Sequence, residues 1–159
     1  MKNPIIQWYP GHIAKAEKQL TNNLQKVDLV IEVRDARIPL STYHPYLEKW
    51  IKGKKHILAI NRKDMIKAEA INQWNTWFRF QGQTPIWCNA KAGTGIKQLQ
   101  EVAIRAGDSI NKRRESRGMR KRAIRALTLG FPNVGKSALI NRLVNKKVVM
   151  SSRRAGVTR

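Results

Sequence analysis

The eight residues Gly130-Phe131-Pro132-Asn133-Val134-Gly135-Lys136-Ser137 constrain the fold of this chain more than any other part of it. Two glycines five apart, followed directly by Lys and Ser, make a loop that wraps its backbone N–H groups around anionic oxygens at a helix N-terminus. Lys136 adds a point charge and Ser137 a hydroxyl suited to Mg²⁺. The flanks agree: the apolar run Ala126 to Leu129 reads as a strand leading in, and Ala138 to Val144 has helical apolar spacing leading out. An ordinary Gly-rich turn with an incidental lysine is the plain alternative, and the register of strand, loop and helix argues against it. The loop predicts a nucleoside triphosphate site on a phosphate-loop NTPase fold.

Three more apolar runs precede the loop: Val27 to Val33, His56 to Ile60 and Pro85 to Cys88. Helical patterns separate them over Ile13 to Gln25, Tyr46 to Ile51, Ala68 to Phe80 and Ile96 to Ala106. Strand followed by helix, repeated, predicts an α/β, doubly wound, mostly parallel sheet. Ligands of such sheets bind beyond the carboxyl ends of the strands, so the residues just after each run matter most.

Two of those places carry side chains that can read a base. After Ile60 comes Asn61-Arg62-Lys63-Asp64; a carboxylate at Asp64 can accept from N1–H and the exocyclic amine of guanine, whereas adenine presents an acceptor at N1. After Cys88 comes Asn89-Ala90-Lys91-Ala92-Gly93-Thr94-Gly95, whose backbone can meet the other edge of the base. Each segment alone reads as well as a turn or helix cap. With a phosphate loop in the same chain they point to guanine.

Charge narrows the partners. The 159 residues hold 32 Lys and Arg against 10 Asp and Glu, a formal net charge of +22. Such self-repulsion favours an anionic partner. The excess concentrates after residue 104, where 16 basic groups face 2 acidic ones. Lys112 to Arg122 has almost nothing to bury and reads as an exposed helix or linker, either a solvated face or a contact for RNA phosphates. No apolar run approaches the roughly 18 to 20 residues of a membrane span, and Pro4, Gln7, Pro10 and His12 interrupt any signal-like core. The single cysteine, Cys88, has no internal disulfide partner, which fits a reducing, cytoplasmic setting.

Taken together, the motifs resemble the circularly permuted GTPases that act in ribosome assembly. In an ordinary Ras-like GTPase the phosphate loop comes first; here Asn61 to Asp64 and Asn89 to Lys91 precede Gly130 to Ser137. Trp8-Tyr9-Pro10-Gly11-His12-Ile13-Ala14-Lys15-Ala16 and Asp35-Ala36-Arg37-Ile38-Pro39-Leu40 are similar to that family's own signatures. The resemblance runs from about residue 7 to the end.

The resemblance implies a set of roles. Asn61, Arg62, Lys63 and Asp64 would read guanine, with Asn89, Ala90 and Lys91 beside it. Asn133, Val134, Gly135, Lys136, Ser137 and Ala138 would hold the phosphates of GTP or GDP. Ser137 and Thr158 would meet Mg²⁺, and Asn133 would help hold K⁺. Lys136, Thr158 and His12 would serve hydrolysis; His12 reads equally as a cap or surface group. Arg62 and Asn89 stand where the family usually has Lys and Ser; Arg62 can cover the base with its stem and stack by its guanidinium. The expected partners are a large-subunit precursor and ribosomal RNA, with the chain a monomer and no membrane involved.

One domain over 1–159 is expected, with base-reading motifs in 1–104, a basic connector in 105–125, and phosphate loop and switch start in 126–159. The four runs correspond to strands 4, 5, 6 and 1 of a GTPase sheet ordered 2-3-1-4-5-6. No Asp-x-x-Gly segment follows Thr158. The expectation is therefore a fragment, incomplete at its C-terminus, with Ala126 to Leu129 as an edge strand. Hydrolysis by it alone should be weak or nil, and its longer parent would add a helical RNA-binding domain. The leading function is GTP-dependent binding to ribosomal precursors. The alternative is a basic RNA-binding protein whose nucleotide site does not turn over. A phosphate-loop kinase using ATP is disfavoured by Asp64. His44 and His56 read as structural, Cys88 as inert, and Trp74, Trp77 and Phe78 as a core stripe rather than a base-stacking face.

Overall fold

The computed structural model describes residues 10–144. Thr158 lies outside them, and of His12 only the backbone, in the first turn of a helix, is described. The elements run α1 (Pro10–Gln25), β1 (Leu29–Asp35), α2 (Leu47–Ile51), β2 (Lys55–Asn61), a 3-10 turn (Lys63–Met65), α3 (Ala68–Phe80), β3 (Ile86–Trp87), α4 (Ile96–Glu115), β4 (Ala126–Leu129) and α5 (Lys136–Leu143). The described sheet is parallel throughout, in the order β3-β2-β1-β4. That is the order 6-5-4-1 read from the motifs. Among the described residues β4 pairs only with β1, and its side chains are exposed to half-buried while every residue of β1 is buried.

Alternation along the strands builds one core on each face. Leu29, Ile31 and Val33 of β1 join Ile57, Ala59, Ile86, Leu99, Val134 and Leu139 under α4 and α5. Leu58, Ile60 and Trp87 face the other way against Phe78 of α3. Phe78 is fully buried, Trp74 packs on that cluster, and Trp77 is exposed, so only part of the aromatic stripe is core. The Trp87 indole N–H donates to Asn75 Oδ1 at 2.7 Å, which satisfies its polar edge.

Several bounds shift from the sequence expectation, with β1 starting at Leu29 and β3 narrowing to Ile86–Trp87, and two extensions have physical reasons. β1 continues two residues past Val33 because its charged members neutralise one another: Arg34 Nε meets Glu32 at 2.5 Å, and His56 Nε2 lies 3.0 Å from the other Glu32 oxygen. Burial pushes the Glu32 carboxyl up, but hydrogen bonds from His56 and Arg34 hold it below its ordinary value. The second extension is α4, which runs nine residues past Ala106 to Glu115. Its sequence holds no proline, and Gly107 costs the helix little because it seats against Ile124; a Cβ there would lie 3.2 Å from Ile124 Cγ1.

Candidate nucleotide site

All four strands end at one edge, so the loops after β1, β2, β3 and β4 converge there. The loop after β4 is held close to its neighbours by glycine. A Cβ at Gly130 would sit 2.5 Å from the Val33 carbonyl oxygen, and one at Gly135 would sit 2.2 Å from Asn61 Nδ2. Gly135 also has φ +96°, and Asn133 adopts φ +63°, the left-handed region that asparagine tolerates. Val134 drops into the core and anchors the loop from below. Lys136 Nζ donates to the carbonyls of Gly130 and Phe131 at 2.8 and 2.6 Å, so the ammonium spans the loop mouth. Burial pushes its pKa down. Ser137 is buried in the first turn of α5, and Ala138 packs against the core beside it.

Asn61, at the end of β2, ties this loop to the next. Its Nδ2 donates to the Val134 carbonyl at 2.9 Å, and its Oδ1 accepts the Ala90 N–H at 2.9 Å. Both ends of the amide are therefore spent on protein: Asn61 acts as a strut between loops. Lys63 N–H donates to Cys88 O at 3.1 Å, which fixes the 3-10 turn against the end of β3. Asp64 sits on that turn, exposed, with no hydrogen bond or ion pair among the described residues. Lys91 is likewise exposed, while Asn89 closes its own loop by accepting the Ala92 N–H at 3.0 Å.

Arg62 takes a different course from the stacking group that its stem suggests. With φ +64° it turns its guanidinium away along the site edge, donating to Asp35 Oδ2 at 2.8 Å and to the Asn133 carbonyl at 2.6 Å. Asp35 also accepts from Arg37, through N–H at 2.9 Å, Nε at 3.0 Å and Nη2 at 2.8 Å. Burial pushes the Asp35 carboxyl up, but the Arg37 hydrogen bonds and the charges of Arg37 and Arg62 hold it below its ordinary value. Asp35 is thus the hub from which Arg62 reaches the phosphate loop.

Arg142 of α5 is a site residue that sequence reasoning missed. Its Nε and Nη2 donate to the Ala90 and Lys91 carbonyls at 3.0 and 2.6 Å, clamping the loop after β3 to the helix that follows the phosphate loop. A cation in the last turn of a helix is ordinary surface chemistry; it acquires this meaning only when the fold brings α5 beside that loop.

Fold and site together define a phosphate-loop NTPase domain in permuted order, with the loops after β2 and β3 preceding the phosphate loop. The model of the family described as 50S ribosome-binding GTPase matches residues 125–159. Ribosome biogenesis GTPase A of Bacillus cereus is 41% identical over 155 residues, covering 97% of this chain and 52% of that protein. Its namesake in Priestia megaterium is also 41% identical, over 96% of this chain and 54% of the relative. The crystal structure of GNP-bound YlqF from T. maritima superposes with a TM-score of 0.60 at 26% identity, covering 91% of this chain and 55% of that one. Over nearly its whole length the chain is similar to the ribosome biogenesis GTPase A proteins, and it spans about half the length of the curated relatives it matches.

Proposed function

We propose that this chain carries the guanine-nucleotide site of a GTPase that acts in assembly of the large ribosomal subunit, contacting precursor particles and ribosomal RNA in the cytoplasm as a monomer. The observation that carries the reading is the pairing of an Asp64 carboxylate, without a partner among the described residues, with a phosphate loop held near it through the Asn61 strut.

The residues fit a nucleotide. Gly135 lets the phosphate loop close onto the Asn61 amide where a Cβ would clash, Lys136 stands across the loop mouth, and Asp64 presents the acceptor pair that guanine needs. In this reading Lys136 leaves its two loop carbonyls for phosphate oxygens, regaining a fully charged partner for an ammonium whose burial otherwise disfavours its charge. Asp64 accepts the guanine N1–H and exocyclic amine, while Lys91 and the Ala90 backbone border the base. A bound Mg²⁺ would supply charge neutralisation at the phosphates, held by Ser137 and Thr158, and Asn133 would help hold K⁺. His12 is assigned to the hydrolytic step. The domain runs over 1–159, with the base side in 1–104 and the phosphate side in 126–159.

The test is a base swap. Asp64→Asn should shift preference from guanine to xanthine diphosphate, because the amide donates where xanthine has a carbonyl. An Asp64→Asn protein that keeps its ranking of GDP over xanthosine diphosphate contradicts the reading.

A further inference from the structure

The basic stretch that the nucleotide site does not use is a built projection, and its position in the fold is informative. α4 starts at the nucleotide edge and runs back toward the N-terminal ends of the strands, where Gly107 meets Ile124 just before β4 begins. The eight residues from Asp108 to Glu115 therefore extend α4 by about 12 Å beyond the sheet, at 1.5 Å per residue. The chain then reverses at Gly118, φ +72°, with the Met119 N–H donating to the Arg114 carbonyl at 3.0 Å.

The returning segment of this spur is pinned. Asn111 donates from Nδ2 to the Arg122 carbonyl at 3.0 Å and accepts the Arg122 N–H at 3.2 Å. Arg114 Nε donates to the Arg120 carbonyl at 3.2 Å. The Arg122 guanidinium grips Asp28 at 2.9 and 2.6 Å, fastening the spur to the start of β1. Lys121 lies 3.6 Å from Glu115. These contacts occupy Arg114, Lys121 and Arg122. Lys112, Arg113, Arg117 and Arg120 remain exposed with no acidic partner among the described residues. Met119 is the one large apolar side chain exposed on the spur among the described residues, too little for the apolar face with which a basic helix enters a lipid surface.

Both ends of β1 are thus in use. Its seven buried residues place the nucleotide loops about 20 Å from the Asp28 end that holds the spur, at about 3.3 Å per residue. A ligand shifts binding elsewhere only through contacts that differ between two states, and among the described residues the hydrogen bonds and ion pairs of the spur side chains run within the spur and to Asp28.

We infer that Lys112, Arg113, Arg117 and Arg120 form an RNA-phosphate anchor on the pole opposite the nucleotide site, which holds RNA to the same extent with GDP, with a GTP analogue or with no nucleotide. The inference rests on the RNA partner proposed above and gives it a place: nucleotide-dependent contacts belong to the other edge, and the spur supplies a constant, salt-sensitive hold.

The experiment titrates the chain with a 20-base-pair RNA duplex of arbitrary sequence over a range of KCl, under the three nucleotide conditions. The triple variant Arg113→Gln/Arg117→Gln/Arg120→Gln should lower the slope of log affinity against log salt by about two to three, with GDP affinity and Tm as in the parent. Removing equal charge elsewhere, in Lys49→Gln/Lys52→Gln/Arg79→Gln, should leave the slope nearly unchanged. Equal slopes in the two triple variants, a loss of RNA affinity in the spur variant that differs among the three nucleotide conditions, or tighter binding to phosphatidylserine vesicles than to RNA overturns the inference. If the parent does not bind GDP, the nucleotide reading fails while the two slopes still decide where RNA is held.

Discussion

Asn61 and Val134, 73 positions apart in sequence, are joined by a buried 2.9 Å hydrogen bond from the asparagine amide to the valine carbonyl, directly beneath the Gly135 turn. The same side chain accepts the Ala90 N–H, so one residue sets the spacing between the loop after β3 and the loop after β4. Asn61→Ala would leave a buried carbonyl and a buried N–H without partners, at a cost of about 1–3 kcal/mol each. The expected result is a lower Tm together with a loss of GDP affinity; GDP affinity equal to the parent's would show that the strut is dispensable.

Arg62 should behave as a positioning residue. Its fork serves Asp35 and Asn133 at once, which a lysine's single ammonium is poorly shaped to do. Arg62→Lys is therefore expected to weaken GDP binding and to leave the preference for GDP over ADP in place. The double variant with Asp35→Asn should be little worse than Asp35→Asn alone, since both remove the same bridge. Full additivity of the two substitutions in a calorimetric double-mutant cycle would contradict the bridge.

How far the sequence revealed this site depends on the range of the interaction. Strand, loop and helix around Gly130 to Ser137 are local patterns, and β4 and α3 appear at the expected bounds. The permuted strand order also follows from motif order alone, because each motif sits at the end of one strand. The ties among motifs were not legible. Asn61 to Val134, Arg62 to Asp35 and Arg142 to Ala90 span 73, 27 and 52 positions, and nothing in a single chain fixes such pairings before the fold does. Hydrophobic patterning ended the run before Arg34 for a related reason: its burial rests on pairing with Glu32, which His56 from the neighbouring strand also meets.

Acid should unfold the protein through these buried carboxylates. Asp35 and Glu32 are both held below their ordinary values of 3.8 and 4.5 in the folded chain. The unfolded chain therefore takes up protons first as pH falls. Their stabilising contribution is full above about pH 5 and is lost as pH drops through the lowered folded values. Glu32→Gln should flatten part of that decline in Tm against pH between about 5 and 2. An unchanged profile would show that Glu32 has no linkage to folding.

Cys88 lies fully buried at the end of β3, and burial pushes its thiol up to about 12. The thiolate is absent at neutral pH, so iodoacetamide should leave the folded chain unmodified and label it once denatured. Rapid stoichiometric labelling of folded protein would contradict the packing described around β3.

The central claim is that the edge shared by Asn61 to Asp64, Asn89 to Lys91 and Gly130 to Ser137 is a guanine-nucleotide site. Calorimetric titration of this chain with GDP and, separately, ADP, in Mg²⁺ and enough KCl to screen the +22 charge, tests it most directly. The account predicts saturable GDP binding at one site per chain, no ADP binding under the same conditions, and loss of GDP binding in Lys136→Ala. Equal affinity for the two nucleotides, or binding of neither, would contradict it.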